Sequence, residues 1–357
     1  GSDNVQQTGV KSIEGAGEHP IDFWIDFKGT IPEGATPRCA IVRVRYHNYT
    51  CEHDIFVRQG YAPITINGNA ESDNNPAWTS YNVYRFDANN APVYTKSPLE
   101  EGSLFRRGNR TAILASNNDR SGFTFGVEPT GSFNVLEFGS ATTSQKTWSQ
   151  LAPSTDDVTN RFKEWSIAGD HERIATIEDF YTLESTSIHS NINKAYGVLY
   201  GDGATETQKS VKEAFGYDHN EDPTNSKKGM RGCFVFNVNN SRNIFFPIGK
   251  SGYGRRKGMT SNGEKVGTLR YAQRTDYYNN DGTGNIQYVP LFYDLFERPG
   301  AIYQCRNRLE STNNEVKNSS AFDINYFTMG FEGFENGASN NNNGSDSDAC
   351  FIRTVKY

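Results

Sequence analysis

The sequence has little methionine, no long apolar run and no concentrated basic segment. Only 3 of the 357 residues are methionine, whereas 19 are tyrosine and 23 are phenylalanine, a balance that favours strands over helical bundles. No apolar run approaches the ~20 residues that a membrane-spanning helix needs. The lysines and arginines are scattered and the formal net charge is −6, which argues against a nucleic-acid-binding protein.

Cysteine and histidine are also scarce and lack the spacing of known sites. The five cysteines are an odd number, so at least one thiol is free unless a second chain takes part. No Cys-x-x-Cys, His-Glu-x-x-His or Gly-x-Ser-x-Gly motif occurs. We therefore expect a non-catalytic protein without a cofactor. A carbohydrate-active enzyme is the alternative, because glycosidases use carboxylate pairs that sequence spacing does not reveal.

Residues 1–66 are predicted to form a β region. After a polar, glycine-rich lead-in, residues 21–28 alternate apolar and polar side chains, as in a half-buried strand. Residues 39–46 and 51–59 are two further strands joined by a short turn, which predicts a β-hairpin. The hairpin resembles the end of the Ig-like repeats, including the BACON type, of exported Bacteroidetes proteins. That resemblance implies an Ig-like sandwich.

Residues 67–150 are predicted to be a β-rich extension or bridge. Polar clusters alternate there with short strand candidates at 81–86, 111–115, 122–127 and 133–138. Two interpretations remain open at this point. The region either completes the first sandwich or connects it to the C-terminal domain.

Residues 151–357 combine predicted helices with later strands. Helices are expected at 155–165, 173–184 and 205–215, and the second has Thr176 as its N-cap with acidic residues in its first turn. A hairpin of residues 231–237 and 243–247 follows. Helices first and strands afterwards are typical of an α+β domain.

Three segments of this part resemble a known family. Residues 173–180, Arg-Ile-Ala-Thr-Ile-Glu-Asp-Phe, are similar to the R-[LI]-x-T-x-E-[DE]-[FW] helix start of the Fibrobacter succinogenes major paralogous domain and its Bacteroidetes relatives. Residues 245–256 look like its F-P-x-x-G-x-R segment, and residues 350–356 like its closing S-V-R-C-V-K. The resemblance implies a C-type-lectin-like fold. Thr354 stands where the family usually has cysteine, which puts the family disulfide in doubt.

The predicted ligand face lies on the late strands of this domain. Aromatic and polar residues interleave there, as they do in sugar-binding and protein-binding surfaces. The resemblance implies that late strands and loops carry the ligand contacts. The corresponding residues are Tyr303, Gln304, Arg306, Asn307, Arg308, Asn325 and Tyr326.

Two weaker sites are loops with ligand-like composition. Three adjacent cations between glycines could attract a carboxylate, sulfate or phosphate. An Asp-x-Asn-x-Asp run has the opening of a calcium loop, although Pro223 takes the usual glycine position. Ordinary solvated loops are the alternative for both. The residues are Arg255, Arg256 and Lys257 for the anion and Asp218, Asn220 and Asp222 for calcium.

Together these features predict an exported, cell-surface recognition protein. The chain opens without a basic-then-apolar leader, so it is either cytosolic or a mature form whose export signal has been removed. The resemblance favours the mature exported form. Any membrane anchoring would be through the removed signal. We expect the protein to act as an adhesin that binds a glycan or a surface protein, and a pilus tip is one setting for it. A structural spacer is a further alternative.

Overall fold

The computed structural model describes the chain in separate stretches. Several predicted elements lie outside them: the residues 21–27 of the first strand, the strand at 122–127, and the helices at 155–165 and 205–215. The described residues are 28–46, 50–106, 108–115, 131–152, 166–169, 171–183, 191–199, 230–247, 300–306, 321–325, 330–332 and 349–357.

Strands in sheets make up most of the described structure, so this part of the protein is β-rich with little helix. In chain order the strands are β1 Arg38–Tyr46, β2 Cys51–Gln59, β3 Ile64–Thr65, β4 Ala77–Trp78, β5 Val83–Phe86, β6 Pro92–Tyr94, β7 Ser103–Arg106, β8 Ala112–Leu114, β9 Ser132–Leu136, β10 Thr143–Thr147, β11 Glu172–Ile174, β12 Ile192–Leu199, β13 Met230–Asn237, β14 Asn243–Pro247, β15 Gly300–Gln304, β16 Ala321–Asn325, β17 Gly330–Glu332, β18 Ala349–Cys350 and β19 Thr354–Lys356.

The α-helix of the described residues is short and begins where the sequence predicts. It is α1, Ile177–Tyr181; a 3-10 turn at Ser149–Leu151 is the other helical element. The hydroxyl of Thr176 accepts the N–H of Asp179 at 3.1 Å, and the Asp179 carboxylate accepts the N–H of Thr176 at 2.8 Å. This reciprocal capping box confirms the predicted N-cap. The helix is shorter than the predicted 173–184, because residues 172–174 pair as strand β11.

Both predicted hairpins are confirmed. Strands β1 and β2 pair antiparallel from Arg38 opposite Gln59 to Tyr46 opposite Cys51. Strands β13 and β14 pair from Phe236 opposite Asn243 onward, and β12 adds a third strand to that sheet. Strand-like apolar runs separated by short polar turns therefore predict these pairings well.

The end of the described chain connects several sheets. Strand β18 is the edge of a five-stranded sheet with the order β10-β9-β8-β7-β18, whereas β19 lies inside a four-stranded sheet with the order β11-β19-β4-β3. Between them Phe351 forms a parallel bridge with Tyr303 of β15. The segment 350–356, which resembles the closing sequence of the family, thus contributes to two strands that pair with different partners.

The division into domains at residues 66 and 150 does not match the described core. One cluster of buried side chains includes Ile64, Trp78, Val135, Phe180 and Val355, which come from all three predicted regions. The pairings of β18 with β7 and of β19 with β4 also cross the boundary at 150. Within the described residues, the stretches 67–150 and 151–357 therefore share one core.

Candidate functional site

Two of the residues predicted to contact a ligand lie in the core. Tyr303 and Gln304 are both 0% exposed. The Tyr303 ring packs against Phe246 and Phe351, with centroids 5.4 and 5.8 Å apart. The Gln304 amide donates to the carbonyl of Phe105 at 3.4 Å. An exposed ligand face therefore does not include these two residues, and we correct the prediction for them.

The remaining predicted positions are only partly described. Arg306 is half-buried, and its backbone N–H donates to the carbonyl of Ala175 at 2.9 Å. Asn325 ends β16 opposite Gly300, and the direct pairing of β15 with β16 leaves no cleft between these two strands. The positions outside the described residues are Asn307, Arg308 and Tyr326, with Arg255, Arg256 and Lys257 of the anion site and Asp218, Asn220 and Asp222 of the calcium site.

A buried arginine stands at the centre of the core. Arg353 lies between β18 and β19 and is 0% exposed. Its Nε donates to the Asn82 side-chain oxygen at 2.8 Å, Nη1 to the Thr79 carbonyl at 2.8 Å and Nη2 to the Phe245 carbonyl at 3.2 Å. The guanidinium also lies 4.7 Å from the ring centre of Phe246. Burial lowers the pKa of Arg353 to about 10.

Asn82 connects this arginine to Tyr303. The Asn82 amide donates to the carbonyl of Glu101 at 2.6 Å and to the Tyr303 hydroxyl at 3.2 Å. Burial raises the pKa of the Tyr303 phenol. Gly102 has φ +91°, and a Cβ there would lie 2.7 Å from the Asn82 Cβ, so this position requires glycine. We name Arg353, Asn82, Tyr303 and Phe246 the inner arginine cluster.

The inner arginine cluster is equipped to hold segments together rather than to react. The donors of its guanidinium and of its Asn82 amide point at carbonyls or side chains of the protein. Its acceptors come from the loop after β4 and from β14, while Arg353 comes from the last segment of the chain. A satisfied buried network of this kind fixes one arrangement of its strands.

The three segments that carry the family resemblance meet at this cluster. Strand β11, from the first segment, pairs with β19, from the last. The middle segment contributes the Phe245 carbonyl and the Phe246 ring. In the first segment, Arg173 binds the buried carboxylate of Asp179 with two hydrogen bonds of 2.7 and 3.0 Å. These motif residues therefore have structural roles in this chain.

The surroundings of the cysteines, and of Thr354 at the position where the resembling family has cysteine, also indicate structural roles. None of the five cysteines forms a disulfide bond. Burial raises the pKa of the Cys233 thiol to about 12, which leaves it protonated and unreactive. Thr354, at the family cysteine position, donates its hydroxyl to the Glu172 carboxylate at 2.8 Å.

A second arginine organises the surface near the end of β2. The Nε of Arg58 donates to the carbonyl of Gly60 at 3.0 Å, and Nη1 to that of Asn243 at 2.9 Å. Its Nη2 donates both to the carbonyl of Ala62 at 2.9 Å and to the Ser80 hydroxyl at 2.7 Å. Burial lowers the pKa of Arg58. The guanidinium therefore fastens the chain after β2 to β14 and to the loop after β4.

Two tyrosines lie beside this arginine, at the protein surface. Tyr61 is 50% exposed and Tyr81 is half-buried; their ring centroids are 5.6 Å apart and their planes are inclined by 37°. The Ser80 hydroxyl donates to the Tyr61 carbonyl at 2.8 Å. Burial, reinforced by the neighbouring Tyr61, raises the pKa of Tyr81 to about 12, while Arg58 opposes the shift. We name Arg58, Ser80, Tyr61 and Tyr81 the outer arginine cluster.

Sequence reasoning did not identify either arginine cluster. One signal for Arg353 was present, since it is the charged residue of an otherwise apolar run that includes Phe351, Ile352 and Val355. A charge inside such a run indicates a buried, hydrogen-bonded role. Arg58 offers no comparable signal, because β2 also contains the charged residues Glu52 and Asp54 and ends at the polar Gln59.

The described residues contain neither a candidate metal site nor a helix that could cross a membrane. Among the described residues, no group of three or more His, Cys, Asp or Glu side chains could hold a metal ion. Within the same residues, no helix has the length and apolar character needed to cross a bilayer.

Comparisons with known proteins identify no family. No protein-family model, curated protein or solved structure significantly matches the chain.

Proposed function

We propose that this chain is an exported, non-catalytic recognition protein of the cell surface. It acts as an adhesin, for which a pilus tip is one setting, and it binds a carbohydrate or a protein. Its N-terminal part is proposed to be Ig-like and its C-terminal part C-type-lectin-like. One observation supports this proposal most: the three segments that resemble the family meet around the buried Arg353. A rigid core of this kind is suited to carrying exposed recognition loops.

The proposed C-terminal ligand face now begins after the core part of β15. Tyr303, Gln304 and Cys305 are buried, whereas Arg306 is half-buried. The face therefore consists of Arg306 with the positions that follow it in sequence. Asn307 and Arg308 combine an amide with a guanidinium, which bind hydroxyl, carbonyl and carboxylate groups.

A binding screen with matched variants tests the proposal. The full chain is applied to a glycan array and to a panel of bacterial and host surface proteins. We expect binding that the triple variant Arg306→Ala, Asn307→Ala, Arg308→Ala weakens by about tenfold or more, since each loses side-chain hydrogen bonds. The control is Arg43→Ala with Arg45→Ala, two exposed arginines of β1. Turnover of any oligosaccharide would instead establish the carbohydrate-active enzyme.

A structural spacer is the second candidate, and one observation favours it. Strands β15 and β16 pair directly, and the Tyr303 side chain fills the core instead of lining a groove. A spacer would bind no member of either panel while its melting temperature shows a folded protein. Specific binding to any panel member contradicts the spacer.

A further inference from the structure

We infer that Tyr61 and Tyr81 form a binding site for an uncharged, hydroxyl-rich carbohydrate, separate from the proposed C-terminal face. Tyr61 is the most exposed large hydrophobic side chain of the described residues, at 50%. Tyr81 lies directly beside it, at a centroid distance of 5.6 Å. The inference does not depend on the C-terminal face, because these residues come from the chain after β2 and after β4.

The outer arginine cluster holds this aromatic pair in place before any ligand arrives. Arg58 binds the carbonyls of Gly60 and Ala62, on either side of Tyr61. The Ser80 hydroxyl binds the carbonyl of Tyr61 itself. Because the backbone on which Tyr61 stands is already fixed, ligand binding requires little further ordering. Rigid tyrosines of this kind are the usual anchors of recognition surfaces.

The ring geometry suits a ligand whose weakly polar faces can stack on aromatic rings. The planes are inclined by 37° at a centroid distance of 5.6 Å, and Tyr61 remains 50% exposed beside Tyr81, which leaves aromatic surface for a ligand to pack on. A sugar ring presents C–H groups on its faces and hydroxyls at its edges. The C–H groups can pack on the negative face of an aromatic ring, while a phenol hydroxyl reaches the sugar hydroxyls.

The charges around the pair favour an uncharged ligand over an acidic one. Every nitrogen of the Arg58 guanidinium already donates to a protein acceptor. Four of its five N–H groups are used in this way, so the cation is directed mainly at the protein and has little donor capacity left for an acidic sugar. The pKa of Tyr81, about 12, keeps its phenol protonated at physiological pH, so the pair adds no negative charge and retains a hydrogen-bond donor.

Isothermal titration calorimetry of the full chain tests the inference. The probes are the neutral hexasaccharides of glucose, xylose and mannose, with hexagalacturonate as the acidic counterpart. We expect at least one neutral probe to bind, and to bind more tightly than hexagalacturonate. Tyr61→Ala and Tyr81→Ala should each weaken binding by about tenfold or more, because each removes a stacking ring. Tyr61→Phe keeps the ring and should stay within about threefold of wild type.

Tyr181→Ala is the matched control, since Tyr181 is a 39% exposed tyrosine on α1. It should bind as wild type does. The exposure of Tyr61 predicts a folded Tyr61→Ala variant, which its melting temperature checks, and Tyr61→Phe tests the site without removing a ring.

The titrations would overturn the inference if they showed no binding of any neutral probe, tighter binding of hexagalacturonate, or neutral binding that Tyr61→Ala leaves unchanged. The last result would locate the sugar elsewhere and leave the proposed C-terminal face standing. A tyrosine-dependent peptide ligand in place of sugars would also overturn it.

Discussion

The inner and outer arginine clusters use the same chemistry at different depths. In both, a guanidinium without a carboxylate partner among the described residues donates to backbone carbonyls and to one polar side chain, Asn82 or Ser80. In both, tyrosine lies nearby. Tyr303 is fully buried, whereas Tyr61 is half exposed.

The difference in depth decides what the tyrosines can do. The Tyr303 hydroxyl is committed to Asn82 and to the Pro247 carbonyl, so its ring and its hydroxyl both stabilise the core. Tyr61 is 50% exposed and Tyr81 is half-buried, so part of each side chain reaches solvent. An arginine that binds carbonyls thus indicates a fixed backbone, and only the exposure of its neighbours indicates a binding surface.

The largest expected effect comes from removing the inner arginine. Arg353→Met leaves acceptors on Asn82, Thr79 and Phe245 without a donor inside the core. We expect the free energy of unfolding to fall by roughly 3–5 kcal/mol, measured by urea denaturation. Arg43→Gln is the control, because Arg43 is exposed on β1 and its salt bridges are worth less than about 1 kcal/mol. Equal effects of the two variants would contradict the role of Arg353.

Removing the outer arginine should cost less. Arg58→Met frees the carbonyls of Gly60 and Ala62, two half-buried residues at which water can replace the lost donor, and the carbonyl of Asn243, which is buried. We expect a decrease of about 2 kcal/mol in the free energy of unfolding, from the same urea titration. A decrease as large as that of Arg353→Met would show that the two clusters do not differ energetically.

A hydroxyl deletion in the core should have a smaller effect. Tyr303→Phe keeps the ring between Phe246 and Phe351 and loses the two long hydrogen bonds of its hydroxyl, with Asn82 at 3.2 Å and with the Pro247 carbonyl at 3.4 Å. The Asn82 amide still donates to the Glu101 carbonyl. We expect a decrease of about 1 kcal/mol in the free energy of unfolding. Ligand binding should be unchanged. Lost binding in a fully stable variant would restore Tyr303 as a ligand contact.

The smallest effect is expected at alkaline pH. The folded protein holds the Tyr81 proton up to a pKa of about 12, above the ordinary value of 10. Between these values the unfolded chain ionises first, so this contribution to stability is complete below pH 10 and is lost as the pH rises through 12. Tyr81→Phe should therefore show a shallower alkaline decline in the urea midpoint than wild type. Parallel declines would contradict the shift.

Local signals in the sequence predicted local structure correctly. The hairpin of β1 and β2 and the N-cap of α1 depend on residues that are a few positions apart. Alternation, turn residues and capping chemistry act over that distance, and the structure confirms them. The β-rich composition was likewise a sound guide to the sheets.

Non-local contacts could not be predicted from these patterns. Arg353 and Asn82 are 271 positions apart, and the pairing of β18 with β7 crosses a boundary that local composition had suggested. Tyr303 was placed on the surface because tyrosine beside glutamine and arginine is typical of binding loops. The same residue types also occur in a core strand whose polar groups find partners, and only the fold distinguishes the two.

The segment of residues 349–357 also constrains the order of folding. It pairs with β4, β7, β11 and β15, and its Thr354 accepts a hydrogen bond from Thr79 across 275 positions. During synthesis these sheets lack a shared strand until this segment leaves the ribosome. Contacts between residues so far apart in sequence form slowly. The edges of the earlier strands therefore stay unpaired until this segment has been synthesised. During that time they need protection from aggregation.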